Sequence, residues 1–182
     1  MDVLIRADEA CQPDPFLLWD SAWDADNGIA DWRLAGPGAP QNSGGLQAAA
    51  ALDTAVTLCL FTDAAMPAHH PLARYVADGD PRGWWGDGID VRADLGEGPL
   101  GSLLWILFRM PCNAATAMWA QILASQALAP LQSQGAVVEI DVSAAVTGLN
   151  AMTLTVALYG RDGQLLYDRR FDLIWDQLQQ AA

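Results

Sequence analysis

From Gly135 onward the chain alternates between apolar and polar positions. Val137 to Val142 and Met152 to Leu158 are rich in β-branched residues and carry the period-two pattern of half-buried strands, and Leu165 to Leu173, with Tyr167 and Phe171, is a third strand-like run. Thr147-Gly148-Leu149-Asn150 separates the first two runs and Arg161-Asp162-Gly163 the last two. Both connections have turn chemistry, the second through an Asp-Gly pair, and the pattern predicts a three-stranded antiparallel meander.

Before the strands the period lengthens. In Leu46 to Phe61, Leu52, Val56, Cys59 and Leu60 fall at i, i+4, i+7 and i+8, and an alanine run raises helix propensity. The other faces are also largely apolar, which predicts a central helix. Asn113 is placed to cap a second helix in which Ala115, Met118, Trp119, Ile122, Leu123 and Ala127 form one stripe. Its end or a kink is expected near Pro130, whose ring obstructs the carbonyl four residues back, and Gly135 closes the segment. Every position from Leu103 to Phe108 is apolar, so periodicity cannot separate strand from helix there. Ser102 as a cap favours a short helix ending before Pro111. Pro67 and Pro71 interrupt regular structure between Ala64 and Ala77.

The first 45 residues read differently. Phe16 to Trp19 and Ile29 to Leu34 flank Asp24-Ala25-Asp26-Asn27-Gly28, which predicts a short hairpin or arm, and Gly36 to Gly45 has the composition of a linker. The expected organisation is an arm and Gly/Pro-rich linker over 1–45, then a domain over 46–182. Two to three helices followed by strands make the fold class α+β.

Composition narrows the function. At 52% hydrophobic residues with 8 Trp and a mean hydropathy of +0.15, the sequence excludes a disordered chain and points to apolar surface that meets partners. Leu103 to Phe108 is the longest apolar run, well short of the roughly 20 residues that span a bilayer. Asp2, Asp8 and Glu9 occupy the start in place of a basic end and apolar block, so a cytoplasm-like compartment is expected. The net charge is −13 and all 9 basic residues are Arg, a field that disfavours nucleic acid. Cys11, Cys59 and Cys112 lack metal or redox spacing and read as reduced, mostly buried thiols.

Candidate chemistry is sparse. Asp78, Asp80, Asp87, Asp90, Asp94 and Glu97 are dense enough to suggest a Ca²⁺-stabilised adaptor, but their spacing is not that of an EF-hand, and a solvated acidic loop is the simpler reading. A wall-active glycosidase needs two carboxylates about 5–9.5 Å apart, one in an apolar setting. Neither Glu9, Glu97 nor Glu139 has such a setting. His69 and His70 are adjacent, diverge, and are expected to be exposed in their loop. Ser102 lacks the glycines of a nucleophile elbow, and no phosphate-binding glycine loop is present. No catalytic residue, metal ligand or cofactor is expected, and an assembly role is favoured.

The remaining signal is Asp80-Pro81-Arg82-Gly83-Trp84-Trp85-Gly86-Asp87, where two large aromatics lie between glycines. Each Trp offers roughly 150–250 Å² for burial, so the stretch reads as an ordered plug, with Arg82 and Asp87 as candidate ion-pair partners. The block Arg82 to Asp87, followed by Gly101-Ser102-Leu103-Leu104-Trp105-Ile106-Leu107, resembles the Mu-type phage tail baseplate family. Asp31 to Leu34, Leu58 to Asp63, Ala127-Leu128 and Leu173-Ile174-Trp175-Asp176 extend the resemblance over nearly the whole chain. That family is similar to the wedge protein of T-even contractile tails, some relatives of which have been labelled lysozymes. The resemblance implies a structural wedge component of a phage tail or tailocin, found in the virion baseplate and assembled in the bacterial cytoplasm. It further implies a link from the wedge core to the sheath, with an open sheet edge initiating sheath assembly. Implied partners are other wedge proteins, the sheath and hub or spike proteins, with several copies around the tail axis. The T-even relatives carry Glu-Pro-Arg where this chain has Ala129-Pro130-Leu131, so both charges are missing. Arg82, Trp84, Trp85, Asp87, Trp105, Arg109 and Trp175 are the candidate partner-binding or structural residues.

Overall fold

The computed structural model describes residues 51–76, 79–84, 91, 93–95 and 98–175, with short backbone stretches at 6–7, 21–24, 29–32, 34 and 47–48. The chain divides into two compact units, Met1–Val56 and Thr57–Ala182. In the first, β1 (Arg6–Ala7) pairs in parallel with β4 (Gln47–Ala48). The expected hairpin is present as β2 (Ser21–Asp24) and β3 (Ile29–Trp32), antiparallel from Ser21↔Trp32 to Asp24↔Ile29. Its first strand starts beyond Phe16 to Trp19, which lie outside the described residues. Pairing with β1 occupies the backbone at Gln47 and Ala48, so the helix expected from Leu46 begins only at Ala51.

That helix, α1 (Ala51–Phe61), buries the four residues of its anticipated stripe, Leu52, Val56, Cys59 and Leu60. It is less enclosed than its composition implies, because Leu58 and Phe61 remain exposed.

The larger unit is built on a sheet. β5 (Glu139–Gly148), β6 (Ala151–Tyr159) and β7 (Leu165–Ile174) pair antiparallel in the order β5-β6-β7. The first strand continues through Ser143 to Val146, past the expected end at Val142, and bulges before Gly148 so that Leu149 and Asn150 alone make the turn. At the second turn Gly163 takes φ +71 and donates its N–H to the Gly160 carbonyl, which is the backbone geometry that the Asp-Gly pair predicts. Cross-strand pairs Ile140↔Leu158, Val142↔Val156 and Ala144↔Leu154 put apolar residues on one face, continued by Tyr167, Phe171 and Leu173 of β7. Met152, Leu154, Val156 and Leu158 are all 0% exposed. The opposite face is polar: Thr153 donates to the Asp172 carboxylate at 2.9 Å, and Arg170 pairs with Asp172 at 3.5 Å.

α2 (Ala114–Ser133) packs on β5 and, in part, on β6. Its start is as expected: Asn113 Oδ1 accepts the Thr116 N–H at 3.1 Å. The buried stripe is not. Thr116, Ala117, Ala120, Leu123, Ala124, Leu128 and Leu131 face inward, whereas Met118 is 64% exposed and Ile122 43%. Alanines let a helix approach a sheet closely, so Ala117, Ala120 and Ala124 share the inner face with Leu123, Leu128 and Leu131, and Met118 and Ile122 are turned outward. The helix runs past Pro130 to Ser133 and ends in a Schellman motif. Gly135, at φ +76, donates to the Gln132 carbonyl and Ala136 donates to that of Leu131. A proline so near the end removes one hydrogen bond without an onward helix to disrupt.

The apolar run after Ser102 is a 3₁₀ helix, Leu104–Arg109, in which Leu104, Trp105, Ile106 and Leu107 are buried. It packs against α2.

Candidate functional site

Ser102 anchors this 3₁₀ helix. Its hydroxyl accepts the Leu104 N–H at 3.1 Å and donates to the Leu60 carbonyl. Its backbone forms a parallel bridge beside Asp63, with Ser102 N–H donating to Thr62 O and Ala64 N–H donating to Ser102 O, each at 2.9 Å. The preceding Gly101 has φ +108, and a Cβ there would stand 2.5 Å from Thr62 O. Only glycine fits.

With the helix fixed, Trp105 is 6% exposed and its indole N–H donates to Ala64 O at 3.0 Å. Two arginines meet over it. The Arg82 guanidinium carbon lies 4.8 Å from the ring centroid and that of Arg109 lies 5.3 Å away, both within cation–π range. Arg82 is held by its backbone: the N–H of this residue, at φ +55, donates to Asp80 Oδ1 at 2.9 Å, while the Pro81 carbonyl accepts from Met66 N–H at 2.8 Å. Its guanidinium also pairs with the Asp63 carboxylate at 2.5 Å. The anticipated partner, Asp87, lies outside the described residues.

These groups line a cavity of about 430 Å³ with Leu60, Phe61, Leu104, Phe108 and Leu173. Phe61 and Phe108 are exposed at its rim, at 44% and 45%. Arg109, one of the lining residues, has its Nη1 buried without a hydrogen-bond partner. An unmade bond on a buried charged donor costs about 1–3 kcal/mol or more. The cavity therefore presents two guanidinium groups and, among the described residues, one carboxylate.

Trp175 is 8% exposed and closes the end of the sheet. Its indole N–H donates to Leu107 O at 3.2 Å and Met110 O at 2.9 Å, and its ring lies 5.1 Å from that of Phe108. The backbone N–H of the same residue donates to Asn150 O at 2.8 Å. Trp84 is 41% exposed. Trp85 lies outside the described residues, and it is Arg82 of the Trp-Trp block that is seen against the 3₁₀ helix.

The structure thus brings Arg82, Trp105 and Arg109 together and holds Trp175 in an adjoining knot. Asp63, Phe61 and Phe108 join the site without having been singled out from sequence. Phe61 and Asp63 do fall within the Leu58 to Asp63 block, and Phe108 ends the apolar run from Leu103, which are the available signals.

Asp94 and Glu139 are exposed, and Glu9, Asp78, Asp90 and Glu97 lie outside the described residues. Among the described residues no three His, Cys, Asp or Glu side chains come together as a metal site. His70 is less exposed than expected: it accepts the Leu72 N–H at 3.2 Å and stands 5.9 Å from the Trp119 ring. Burial pushes the Cys59 thiol up from 9.0 to about 11. Cys112 is also raised by burial, against an opposing backbone hydrogen bond at Ala151. No helix among the described residues is long and apolar enough to cross a membrane.

This α+β arrangement belongs to a recognisable group. The family model described as phage protein GP46 matches residues 52–165, which include Asp63, Arg82, Trp105 and Arg109, and the chain belongs to that family. It is similar to the baseplate protein gp46 of Escherichia phage Mu, with 36% identity over 117 residues covering 63% of this chain and 74% of the relative. No solved structure matches.

Proposed function

We propose that this chain is a structural component of a phage-type tail baseplate that assembles with other tail proteins in the particle. The observation that carries this reading is its 36% identity to the Mu baseplate protein. The finer role is that of a wedge component joining the wedge core to the sheath of a contractile tail or tailocin. In this reading residues 46–182 form the wedge domain and 1–45 an arm.

The sheet supports such a role. β5 and β7 are edge strands of ten residues each, with no further strand paired to either among the described residues. An edge of that length can template an added strand, and a sheath segment entering there initiates sheath assembly by β-augmentation. Trp105 and Trp175 act as the internal knot, while Arg82, Arg109 and Trp84 supply the surface toward neighbouring proteins.

Deleting the gene in a producing strain tests the assignment. The expected result is loss of sheathed particles, restored by the gene in trans, with the chain found by mass spectrometry in purified baseplates. Normal sheathed particles in the deletion strain would refute it.

A further inference from the structure

We propose that the cavity beside Trp105 is a carboxylate-binding site, which receives an Asp or Glu side chain flanked by apolar residues from a partner protein. The proposal rests on the assembly reading above and adds the chemistry of the contact. Three features carry it.

First, the charge is unbalanced. In a chain of net charge −13 with only 9 basic residues, two of them stand over one indole, and among the described residues only Asp63 answers them. An arginine does not relieve this by losing its proton.

Second, a donor is waiting. Arg109 Nη1 is shielded from water and bonds nothing, while the residue as a whole remains partly open. Rotation about its terminal torsions brings that nitrogen to an entering carboxylate, so binding makes a bond that the free protein leaves unmade. A carboxylate matches the planar fork of a guanidinium with two parallel N–H···O bonds. Trp105 positions the donors, because its N–H bond to Ala64 O fixes the ring over which both guanidinium groups lie.

Third, the rim is apolar. Phe61 and Phe108 are exposed on the cavity, and Phe61 is braced edge-on against Phe171 at 5.1 Å. A free phosphate or a nucleic-acid backbone gains nothing from such a rim, and a polyanionic backbone is repelled by the net charge of −13 more strongly than a single carboxylate. An acidic side chain between apolar neighbours uses rim and floor together, in the manner of a buried charged anchor surrounded by water-excluding contacts.

The test is a titration of the ¹⁵N-labelled full chain, followed at the arginine Nε–Hε signals, with the peptide acetyl-Phe-Glu-Leu-amide and its Gln isostere. Saturable shifts confined to Arg82, Arg109 and the Trp105 indole are expected, with the Gln peptide weaker by roughly tenfold or more because it lacks the charge-assisted pair. Arg109→Lys keeps the charge without the fork and weakens the Glu peptide. Asp63→Asn removes the competing carboxylate and tightens it, which no purely structural role for Asp63 produces. Equal responses to the two peptides, no shift at millimolar peptide, uniform movement of all arginines, inorganic phosphate outcompeting the peptide, or unchanged binding in both variants would each overturn the proposal. A chain that enters tail particles but ignores the Glu peptide refutes the cavity assignment alone. One that binds the peptide but never enters a particle refutes the assembly reading alone.

Discussion

Replacing Gly101 by alanine is the sharpest single perturbation the fold offers. Two costs combine there. A φ of +108 lies in territory that side chains avoid, which costs about 1–3 kcal/mol. The new Cβ would also stand 2.5 Å from Thr62 O, 3.0 Å from Thr62 C and 3.2 Å from Ala64 N. These are backbone atoms of the bridge to Ser102, so relief requires separating the two strands and loosening hydrogen bonds worth about 0.5–1.5 kcal/mol each. Together the loss is about 3–5 kcal/mol, a large share of the roughly 5–15 kcal/mol that holds an ordinary domain. Gly135 is the internal control. It has φ +76 but nothing within 4 Å of an added Cβ, so Gly135→Ala carries only the dihedral cost, about 1 kcal/mol after the gain from a stiffer unfolded chain. Native-state hydrogen exchange at the β6 amides of Leu154, Val156 and Leu158 reads the stability of the larger unit directly. Equal protection losses in the two variants would refute the claim that space, and not backbone angle alone, requires glycine at 101.

Two further outcomes follow from the packing. Trp175→Phe deletes the donor to Leu107 O and Met110 O and part of a buried ring, and should lower stability by about 2–3 kcal/mol in urea unfolding; a change below about 0.5 kcal/mol would show that the indole N–H bonds are not structural. Burial holds the Cys59 thiol up at about 11 in the folded chain against an ordinary 9.0, so its stabilising contribution is complete below the unfolded value and is lost as pH rises through the folded one. Between about pH 8 and about pH 10.5 the wild type should lose about 2 kcal/mol more than Cys59→Ala, and parallel pH profiles would refute the burial of the thiol.

The sequence disclosed its local signals well and its long-range ones poorly. Asn113 capping a helix, Gly135 ending it and Asp162-Gly163 turning a hairpin are decided within a few residues, and each is found in place. Hydropathy ranks Met118 and Ile122 above Ala117, Ala120 and Ala124, while close packing on the sheet turns the alanines inward together with Leu123, Leu128 and Leu131. The strand through Ser143 to Val146 was missed because its partners on β6 supply what its own composition does not. At the site, Arg82, Trp105 and Arg109 were recognised as separate points of interest. Their convergence depends on the Asp63–Ser102 bridge and on the turn at Pro81, contacts between residues far apart in the chain, and no local pattern encodes those distances.

That bridge has a consequence for how sequences of this family can diverge. Asp63 and Ser102 stand side by side, and inside them Met66 is tied to Pro81, so two backbone ties close the excursion from Asp63 to Ser102 at its base. Doubling the length of a tied-off excursion costs only about 0.6 kcal/mol in closure entropy. An insertion or deletion inside the excursion therefore adds little to its closure cost as long as both ties hold.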